Sequence, residues 1–259
     1  TPKFVSPSDP AAQWTGAHRG PAFFAYATNY LIDTDNAIIV DVEASRAIRQ
    51  AEVGAAQTMI DRAMDRFGLY PESLAGDSAY GAAEMVGWLV EERGIEPHVT
   101  VIDKSGRKDG TFSRSDFFYD QEDDVYICPD HKMLTTTGKL VNDGATMLCR
   151  ASKADCSVCP FKAQCCPKEP ARKVPRSIHE RARDMARAIA DTDAGDASRK
   201  ARKKVEMLFA HLKRILKLGR LRLRGPCGAS DEFLLAATAQ NLRKLAKLRP
   251  KPQPAEASA

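Results

Sequence analysis

The sequence predicts an α/β fold in which helices pack on a sheet, and three observations support this class. Residues 23–32 and 37–43 are rich in apolar and aromatic residues and flank the turn-forming letters DTDN, which predicts two strands of a hairpin. Residues 50–67 carry apolar side chains at helical spacing up to Gly68, which predicts a helix. A strand (ESLAG), a helix (AAEMVGWLVEERG) and another strand (EPHVTVI) follow. This order is typical of a sheet layered with helices.

The remaining segments depart from this order. Residues 1–21 contain four prolines and are predicted to be an irregular lead-in. Residues 103–176 are rich in Gly, Asp, Ser and Cys and are interpreted as an inserted cysteine-rich subdomain. The tail, residues 250–259, is disordered by composition. Helices are predicted at 177–190, 197–218 and 229–248, so that the core comprises 22–102 and 177–249.

The composition excludes several classes of protein. Apolar residues make up 43% of the 259 and charged residues 28%, as in soluble globular proteins. No apolar run approaches the roughly 18–20 residues of a membrane span, and no signal peptide opens the chain. Seven cysteines without such a signal indicate reduced thiols in the cytoplasm, where metal binding is favoured over disulfides.

The net charge of +5 is unevenly distributed. Residues 199–251 hold 16 Lys and Arg and 3 Asp and Glu, a net charge of +13, whereas residues 1–198 carry −7. A one-signed excess on predicted helices is typical of a surface that binds a polyanion. Nucleic acid is therefore the predicted partner, in preference to a merely solubilising surface.

One helix of this basic region carries a single acid. Residues 197–225, ASRKARKKVEMLFAHLKRILKLGRLRLRG, contain Glu206 as their only carboxylate. At about 100° per residue, Arg202, Glu206, Lys213 and Lys217 fall on a stripe about 60° wide. Either Glu206 forms an i,i+4 pair with Arg202, worth roughly 0.2–0.5 kcal/mol, or it holds a metal ion while the cations bind phosphates. The predicted apolar face beside this stripe comprises Val205, Leu208, Phe209, Leu212, Ile215 and Leu216.

A second acid follows the short strand ESLAG. Asp77 lies in the segment LAGDSAYG, where small residues allow a substrate backbone to approach. Ligands of open α/β sheets gather beyond the carboxyl ends of the strands, so Asp77 is a candidate metal ligand. The alternative is that Asp77 caps the helix beginning near Gly81. Taken alone, the local sequence slightly favours the cap.

The cysteines cluster in one segment. Cys-x2-Cys followed by Cys-x5-Cys, with a further cysteine upstream, can supply four thiolates to tetrahedral Zn²⁺. The predicted structural zinc ligands are Cys128, Cys156, Cys159 and Cys165. Cys166 or Cys149 could replace one of them, and His131 is an outside candidate. The alternative is a group of reduced, partly buried thiols without metal, and Cys227 stands apart.

Together, these features resemble the bacterial insertion-sequence transposases of the DDE class. Arg-x3-Glu-x6-Lys surrounds the third acid of that class, and Arg202, Glu206 and Lys213 meet this pattern. GDSAYG resembles the segment around the second acid, which implies that role for Asp77. RLRLRG and AATAQNLRKLAKL resemble the closing region. Arg199 stands where the family has Tyr, which puts in doubt only the contact that this Tyr makes.

The resemblance extends from about Asp9 to Leu248 and implies an RNase H-like mixed sheet flanked by helices. It implies a DNA transposase that cleaves and joins strands at insertion-sequence ends, with Asp77 and Glu206 as catalytic ligands of Mg²⁺ or Mn²⁺. The resemblance implies double-stranded DNA as the partner, a homodimer that pairs two DNA ends, and a cytoplasmic, nucleoid-associated location. A similar cysteine-bearing insertion favours zinc. The implied DNA contacts are Arg202, Lys213, Arg214, Lys217, Arg220, Arg222 and Arg224.

The first of the three family acids has no good match. SPSDPAAQW resembles the segment after the first strand, so the first Asp is expected upstream of Thr1 and the chain is expected to be an inactive C-terminal portion. Asp41 is the only substitute considered, because Asp33 and Asp35 are predicted turn formers. The alternative function is a non-catalytic, zinc-containing DNA-binding remnant, and a metal-dependent nuclease of the same fold is a third possibility.

Overall fold

The computed structural model describes residues 3–16 and 20–248. Its strands are β1 (Gln13–Gly16), β2 (Ala22–Asp33), β3 (Ile38–Arg46), β4 (Ser73–Ala75), β5 (Glu96–His98), β6 (Phe118–Asp120), β7 (Val125–Ile127), β8 (Met133–Leu134), β9 (Leu140–Val141), β10 (Thr146–Arg150) and β11 (Lys173–Ser177). Its helices are α1 (Arg49–Phe67), α2 (Ala83–Gly87), α3 (Lys153–Val158), α4 (Lys162–Cys165), α5 (Glu180–Ala190), α6 (Asp193–Arg214) and α7 (Gly225–Leu248). The predicted α/β class is confirmed.

The chain forms two compact units. Of the described residues, those up to Ala79 and those from Asp191 to Leu248 form the first unit, and residues 80–190 form the second. The predicted inserted subdomain, residues 103–176, falls entirely within the second unit. The predicted disordered tail, residues 250–259, lies outside the described residues. No helix in the described part of the chain is long and apolar enough to cross a membrane.

The first unit is built on an antiparallel sheet in the order β1-β2-β3. The predicted hairpin of β2 and β3 is present, with Asp33 opposite Ile38 at its turn. The Asp33 carboxylate accepts a hydrogen bond from the Asp35 backbone N–H at 2.9 Å. A hydrogen bond from the Asn36 side chain lowers the pKa of Asp33. Asp33 is therefore a turn former, as predicted.

The predicted irregular lead-in, residues 1–21, is wrong for one stretch, because Gln13–Gly16 form β1. This strand pairs with the beginning of β2, with Trp14 opposite Phe24. The Trp14 ring lies 4.8 Å from that of Phe24 and 5.3 Å from that of Phe4, centroid to centroid. Cross-strand aromatic contacts of this kind stabilise a strand that its proline-rich surroundings do not predict.

Helix α1 ends where the sequence predicts. Gly68 adopts a left-handed backbone, φ 61°, and its N–H donates to the carbonyl oxygens of Ala63 and Met64. A residue with a Cβ is strained in this conformation, so glycine is suited to the C-cap. Met59 and Ile60 are buried on the inner face of the helix.

Helix α7 covers part of the exposed edge of β3. The Ile39 N–H donates to the side-chain oxygen of Asn241 at 3.0 Å, and the Asn241 amide donates to the Ile39 carbonyl oxygen at 2.8 Å. This pair of bonds satisfies edge groups that would otherwise remain open to another strand. Asn241 therefore fixes the register between the helix and the sheet.

Helix α6 is shorter at its C-terminus than predicted. Leu208 and Leu212 of the predicted apolar face are buried against Ile39. The helix stops at Arg214, however, because Lys217 turns left-handed, φ 57°, and the Leu218 N–H donates to the Leu212 carbonyl oxygen at 3.2 Å. A residue in the left-handed conformation commonly terminates a helix in this way. Ile215, predicted to be buried, is consequently 60% exposed.

The structure also corrects where two of the predicted helices begin. Helix α7 begins at Gly225 instead of 229, and the Gly225 N–H donates to the Asp9 carboxylate at 2.9 Å. An acid more than 200 residues away thus occupies the start of the helix. The helix predicted at 177–190 is α5, which begins only at Glu180. Its predicted first residue, Ser177, instead ends β11, which pairs with β10.

The second unit contains two small three-stranded sheets, β6-β7-β8 and β11-β10-β9. Leu134, Cys149 and Val174 are fully or almost fully buried between them. A separate apolar cluster joins Val86 of α2 to Ala182 of α5. The strands have two to five residues each, so this unit has little regular sheet to stabilise it.

A buried acid organises the cations around helix α5. The Glu180 side chain is 1% exposed and accepts from Arg183 at 2.6 Å, Arg114 at 2.7 Å and Arg187 at 2.9 Å. Burial by itself would raise the pKa of Glu180, but the charges of Arg114 and Arg183 and the bond from Arg187 hold it below the ordinary value. Arg114 and Arg187 also contact Asp103. Burial by itself would raise the pKa of Asp103, but hydrogen bonds from Ser105 and the charges of these two arginines lower it to about 2.

We expect Glu180→Gln to lower the free energy of unfolding of the second unit by about 3–5 kcal/mol, because it leaves the buried Arg183 guanidinium without its counter-charge. The matched control is Glu169→Gln, which breaks an exposed i,i+4 pair with Lys173 and should cost less than about 1 kcal/mol. Urea unfolding followed by Trp88 fluorescence in a Trp14→Phe background measures both. Equal losses in the two variants would contradict the assignment.

Candidate nucleic-acid interface and active site

Asp77 lies just beyond the end of β4, as predicted. Its side chain is exposed, and one carboxylate oxygen accepts a hydrogen bond from the Ala79 backbone N–H at 2.7 Å. Ala79 belongs to a 3₁₀ turn, Ser78–Gly81. The carboxylate therefore caps this turn and keeps its second oxygen without a hydrogen bond among those of the described residues. Capping and ligand binding are compatible here, since a carboxylate offers about four lone-pair sites.

Helix α6 is hydrogen-bonded to the strand that precedes Asp77. The Arg202 guanidinium donates to the carbonyl oxygen of buried Gly76 at 3.0 Å, across 126 residues of sequence. Glu206 follows one helical turn later, about 6 Å further along the axis, and its side chain is exposed. The structure thus brings the helix that carries Glu206 to the strand end that carries Asp77.

Asp41, the only substitute considered for the first acid, has a structural role. Its carboxylate contacts Arg62 of α1 at 2.6 Å, and Arg62 also contacts Glu43 at 2.9 Å. These ion pairs hold α1 against β3. Within residues 3–16 and 20–248, no three His, Cys, Asp or Glu side chains are placed together as ligands of a metal ion.

The cations predicted to contact DNA fall into two groups. Arg202 is half-buried and uses one donor on Gly76, and the others are exposed. Because α6 ends at Arg214, four of the predicted DNA contacts lie beyond the helix. We call this non-helical stretch, residues 215–224, the basic segment; its four predicted contacts are Lys217, Arg220, Arg222 and Arg224. Lys203 and Lys204 are further exposed cations of α6. The exposed predicted contacts are Lys213, Arg214, Lys217, Arg220, Arg222 and Arg224.

The backbone of the basic segment is anchored by two acids that the sequence did not single out. The Glu232 carboxylate accepts from the backbone N–H groups of Arg222, at 2.6 Å, and Leu223. Asp9 accepts from the Gly225 N–H, and this bond lowers the pKa of Asp9. Because these acids are bonded to backbone groups, the arginine side chains stay free of them. The local sequence carried no signal for Asp9, which lies 216 residues from its partner.

The predicted zinc ligands lie in the second unit. Cys128, Cys156, Cys159 and Cys165 line one cavity of about 20 Å³, and Cys166 lines it too. Burial raises the pKa of the Cys156 and Cys165 thiols, so these groups are protonated at neutral pH as they stand. Cys149 does not line the cavity and is fully buried, and Cys227 is an exposed residue of α7.

A cluster of exposed cations of one sign is typical of a protein that binds nucleic acid. The particular family follows from comparison with known families: residues 127–246 match the transposase DDE domain. This part of the chain is similar to that domain, and the predicted resemblance to the DDE transposases is confirmed. A transposase domain implies a role in the transposition and recombination of DNA, with DNA as the partner.

The matched residues include the cysteine segment and Arg202, Glu206 and Lys213. Asp77 lies outside the match. No curated protein and no solved structure gives a significant match to the chain. The assignment of individual site residues therefore depends on the geometry of this structure.

We expect Glu232→Ala to release the backbone of the basic segment. The amides of Arg222 and Leu223 should exchange with solvent at least about tenfold faster, because a hydrogen bond to a charged acceptor contributes about 1.5–3 kcal/mol. Hydrogen exchange read by mass spectrometry measures this change. Asp231→Ala is the matched control, since it removes the same charge from an exposed neighbour. Equal protection in the two variants would rule out the anchor.

Proposed function

We propose that the chain carries the catalytic core of a DDE transposase, in which Asp77 and Glu206 bind Mg²⁺ or Mn²⁺ for cleavage and strand transfer at insertion-sequence ends. One observation carries the proposal: the hydrogen bond from Arg202 to Gly76, which joins the Glu206 helix to the Asp77 strand. Both carboxylates are exposed and can receive a hydrated ion. Mg²⁺ keeps several waters and is held by as few as one or two protein carboxylates, so this pair fits it.

An RNase H-like core is part of this proposal. In support, the first unit has an antiparallel hairpin, then α1, then β4 with Asp77 at its end, and finally α6 with Glu206. Ligands of α/β sheets bind at such strand ends. Helix α6 packs its apolar face on the sheet through Leu208 and Leu212, which leaves Glu206 on the solvent side.

The residues of this chain would have separate roles at a phosphodiester. When bound, the metal supplies Lewis-acid polarisation of the phosphate and activation of the attacking oxygen. Lys213, about 10 Å beyond Glu206 along the helix axis, supplies a point charge for a neighbouring phosphate. The free guanidinium donors of Arg202 can also reach a phosphate, and arginine provides a planar, bidentate grip. Asp77 and Glu206 would hold the ion.

The basic segment supplies the longer DNA contact. Arg220, Arg222 and Arg224 are exposed on a backbone that Glu232 and Asp9 hold in place. An anchored loop loses less conformational entropy on binding than a free one. Contacts of this kind are to phosphates and position the protein without reading sequence. Pairing of two DNA ends would require two copies of the chain.

The second candidate is a DNA-binding remnant without catalysis. One observation favours it: Arg62 holds the Asp41 carboxylate, so that this acid does not join Asp77 and Glu206 in the part of the chain that the structure describes. The two candidates share the basic segment and differ in whether Asp77 and Glu206 bind one ion.

Metal-directed cleavage of the protein distinguishes them without requiring DNA joining. Fe²⁺ in the Mg²⁺ position, with ascorbate and peroxide, should cut the backbone close to both Asp77 and Glu206. Either Asp77→Asn or Glu206→Gln should abolish both cuts, because each removes one of only two carboxylates. Asp231→Asn is the control and should leave both cuts. Cuts at one residue only, or at neither, would favour the remnant.

Salt dependence tests the DNA interface separately. Each phosphate contact contributes about −0.9 to the slope of log K against log salt, so Arg222→Ala with Arg224→Ala should make the slope less steep by about 1.8. The control, Lys139→Ala with Lys168→Ala, removes two exposed cations from the second unit and should preserve the slope. Filter binding with a random-sequence duplex at several salt concentrations gives these values. A flat wild-type response would refute the interface.

A further inference from the structure

We propose that the second unit contains a structural Zn²⁺ site formed by Cys128, Cys156, Cys159 and Cys165. This inference goes beyond the proposed function, since the site lies in a different unit from Asp77 and Glu206. The five cysteines on its walls surround a cavity of about 20 Å³. A space of this size holds about one water-sized species.

Two pieces of chain that are distant in sequence contribute the cysteines that line this cavity. Cys156 lies in α3, whose N-cap Ser152 accepts from the Ala154 and Asp155 N–H groups. Cys159 follows that helix, and Cys165 ends α4. Their spacing, Cys-x2-Cys-x5-Cys, places three thiols on two short helices joined by a turn. Cys128 approaches from the loop after β7.

The loop at Cys128 has features of a metal-binding turn. The Cys128 sulfur accepts a hydrogen bond from the Lys132 backbone N–H at 3.3 Å, and the Cys128 carbonyl oxygen accepts from the His131 N–H at 2.8 Å. His131 itself adopts a left-handed backbone, φ 55°. The same N–H would remain a hydrogen-bond donor to a metal-bound sulfur.

A buried cation beside the cavity lacks a carboxylate partner. Arg172 is 5% exposed, donates to the carbonyl oxygens of Cys165 and Phe112, and leaves its Nε without a hydrogen bond. Among the ion pairs of the described residues, none involves Arg172. A buried charge without a counter-charge is costly. Four thiolates around Zn²⁺ carry a net charge of −2, which Arg172 and Lys162 on the cavity wall would offset.

The donor set selects the metal. Thiolates are soft ligands that favour Zn²⁺ in tetrahedral coordination. The Lys162 ammonium lies 3.5 Å from the Cys166 sulfur and donates a hydrogen bond to it. We therefore assign Cys166 to this contact and not to the ion itself. Since no three ligands stand at binding distances among the described residues, the sulfurs would move together on binding.

A bound metal ion would also stabilise the second unit. Its strands are short, and its core includes Cys156, Cys165 and Cys166 beside Phe117 and Val174. Apolar burial around such small elements is limited, and a bound ion links loops that packing alone holds weakly. Fully buried Cys149 belongs to the same core but not to the cavity, so it serves as a packing residue.

The test is the metal content of the whole chain purified without chelator. Elemental analysis should find about one zinc per chain, and Co²⁺ exchanged into the site should give the spectrum of tetrahedral thiolate coordination. Cys156→Ser, Cys159→Ser, Cys165→Ser and Cys128→Ser should each weaken Zn²⁺ binding at least about tenfold. Chelation should lower the unfolding temperature of the wild type.

Three controls separate metal binding from folding. Cys227→Ser and Cys166→Ser should retain full zinc, and Cys149→Ser should retain zinc even where it lowers stability. Loss of zinc in Cys166→Ser with retention in Cys165→Ser would overturn the assignment of the fourth ligand. A wild-type chain that binds neither Zn²⁺ nor Co²⁺ would overturn the site. Neither result touches the DNA interface, which the salt dependence tests independently.

Discussion

The hydrogen bond from Arg202 to the Gly76 carbonyl oxygen is the constraint on which the candidate active site depends. β4 has only three residues, so its end, where Asp77 lies, requires support from elsewhere. Arginine is suited to this position because one of its five N–H donors can hold the backbone while the others remain for an anion. A lysine would offer a single centre for both tasks. Arg202, which the sequence predicts to contact a phosphate, therefore also positions the strand end that carries Asp77.

Charges are used differently in the two units. In the first, Glu232 and Asp9 accept from backbone N–H groups, and the arginines nearby remain available to a polyanion. In the second, Glu180 gathers three arginines in a buried cluster. Arg172 of the second unit is buried too, but it forms no ion pair with an acid among the described residues. The negative charge of the proposed zinc–thiolate centre would offset its positive charge, which connects the charge balance of the second unit to its cysteines.

Local signals predicted much of the fold. The β2–β3 hairpin follows from its apolar runs and its turn residues, and α1 stops at Gly68 because glycine tolerates the left-handed cap. Errors concentrate where distant residues decide. The end of α6 depends on a turn at Lys217, and the start of α7 depends on Asp9. β1 depends on Trp14 packing against Phe24, a contact that proline content conceals.

The sequence by itself determined the chemistry that the chain can offer: an acid after a strand, one acid in a basic helix, an excess of cations and a row of cysteines. These properties follow from residue type and spacing, which need no folded structure. Only the tertiary structure decided which groups meet. Arg202 and Gly76 are 126 residues apart, and Asp9 and Gly225 are 216 apart. Contacts over such separations depend on how whole elements pack, and no local pattern encodes them.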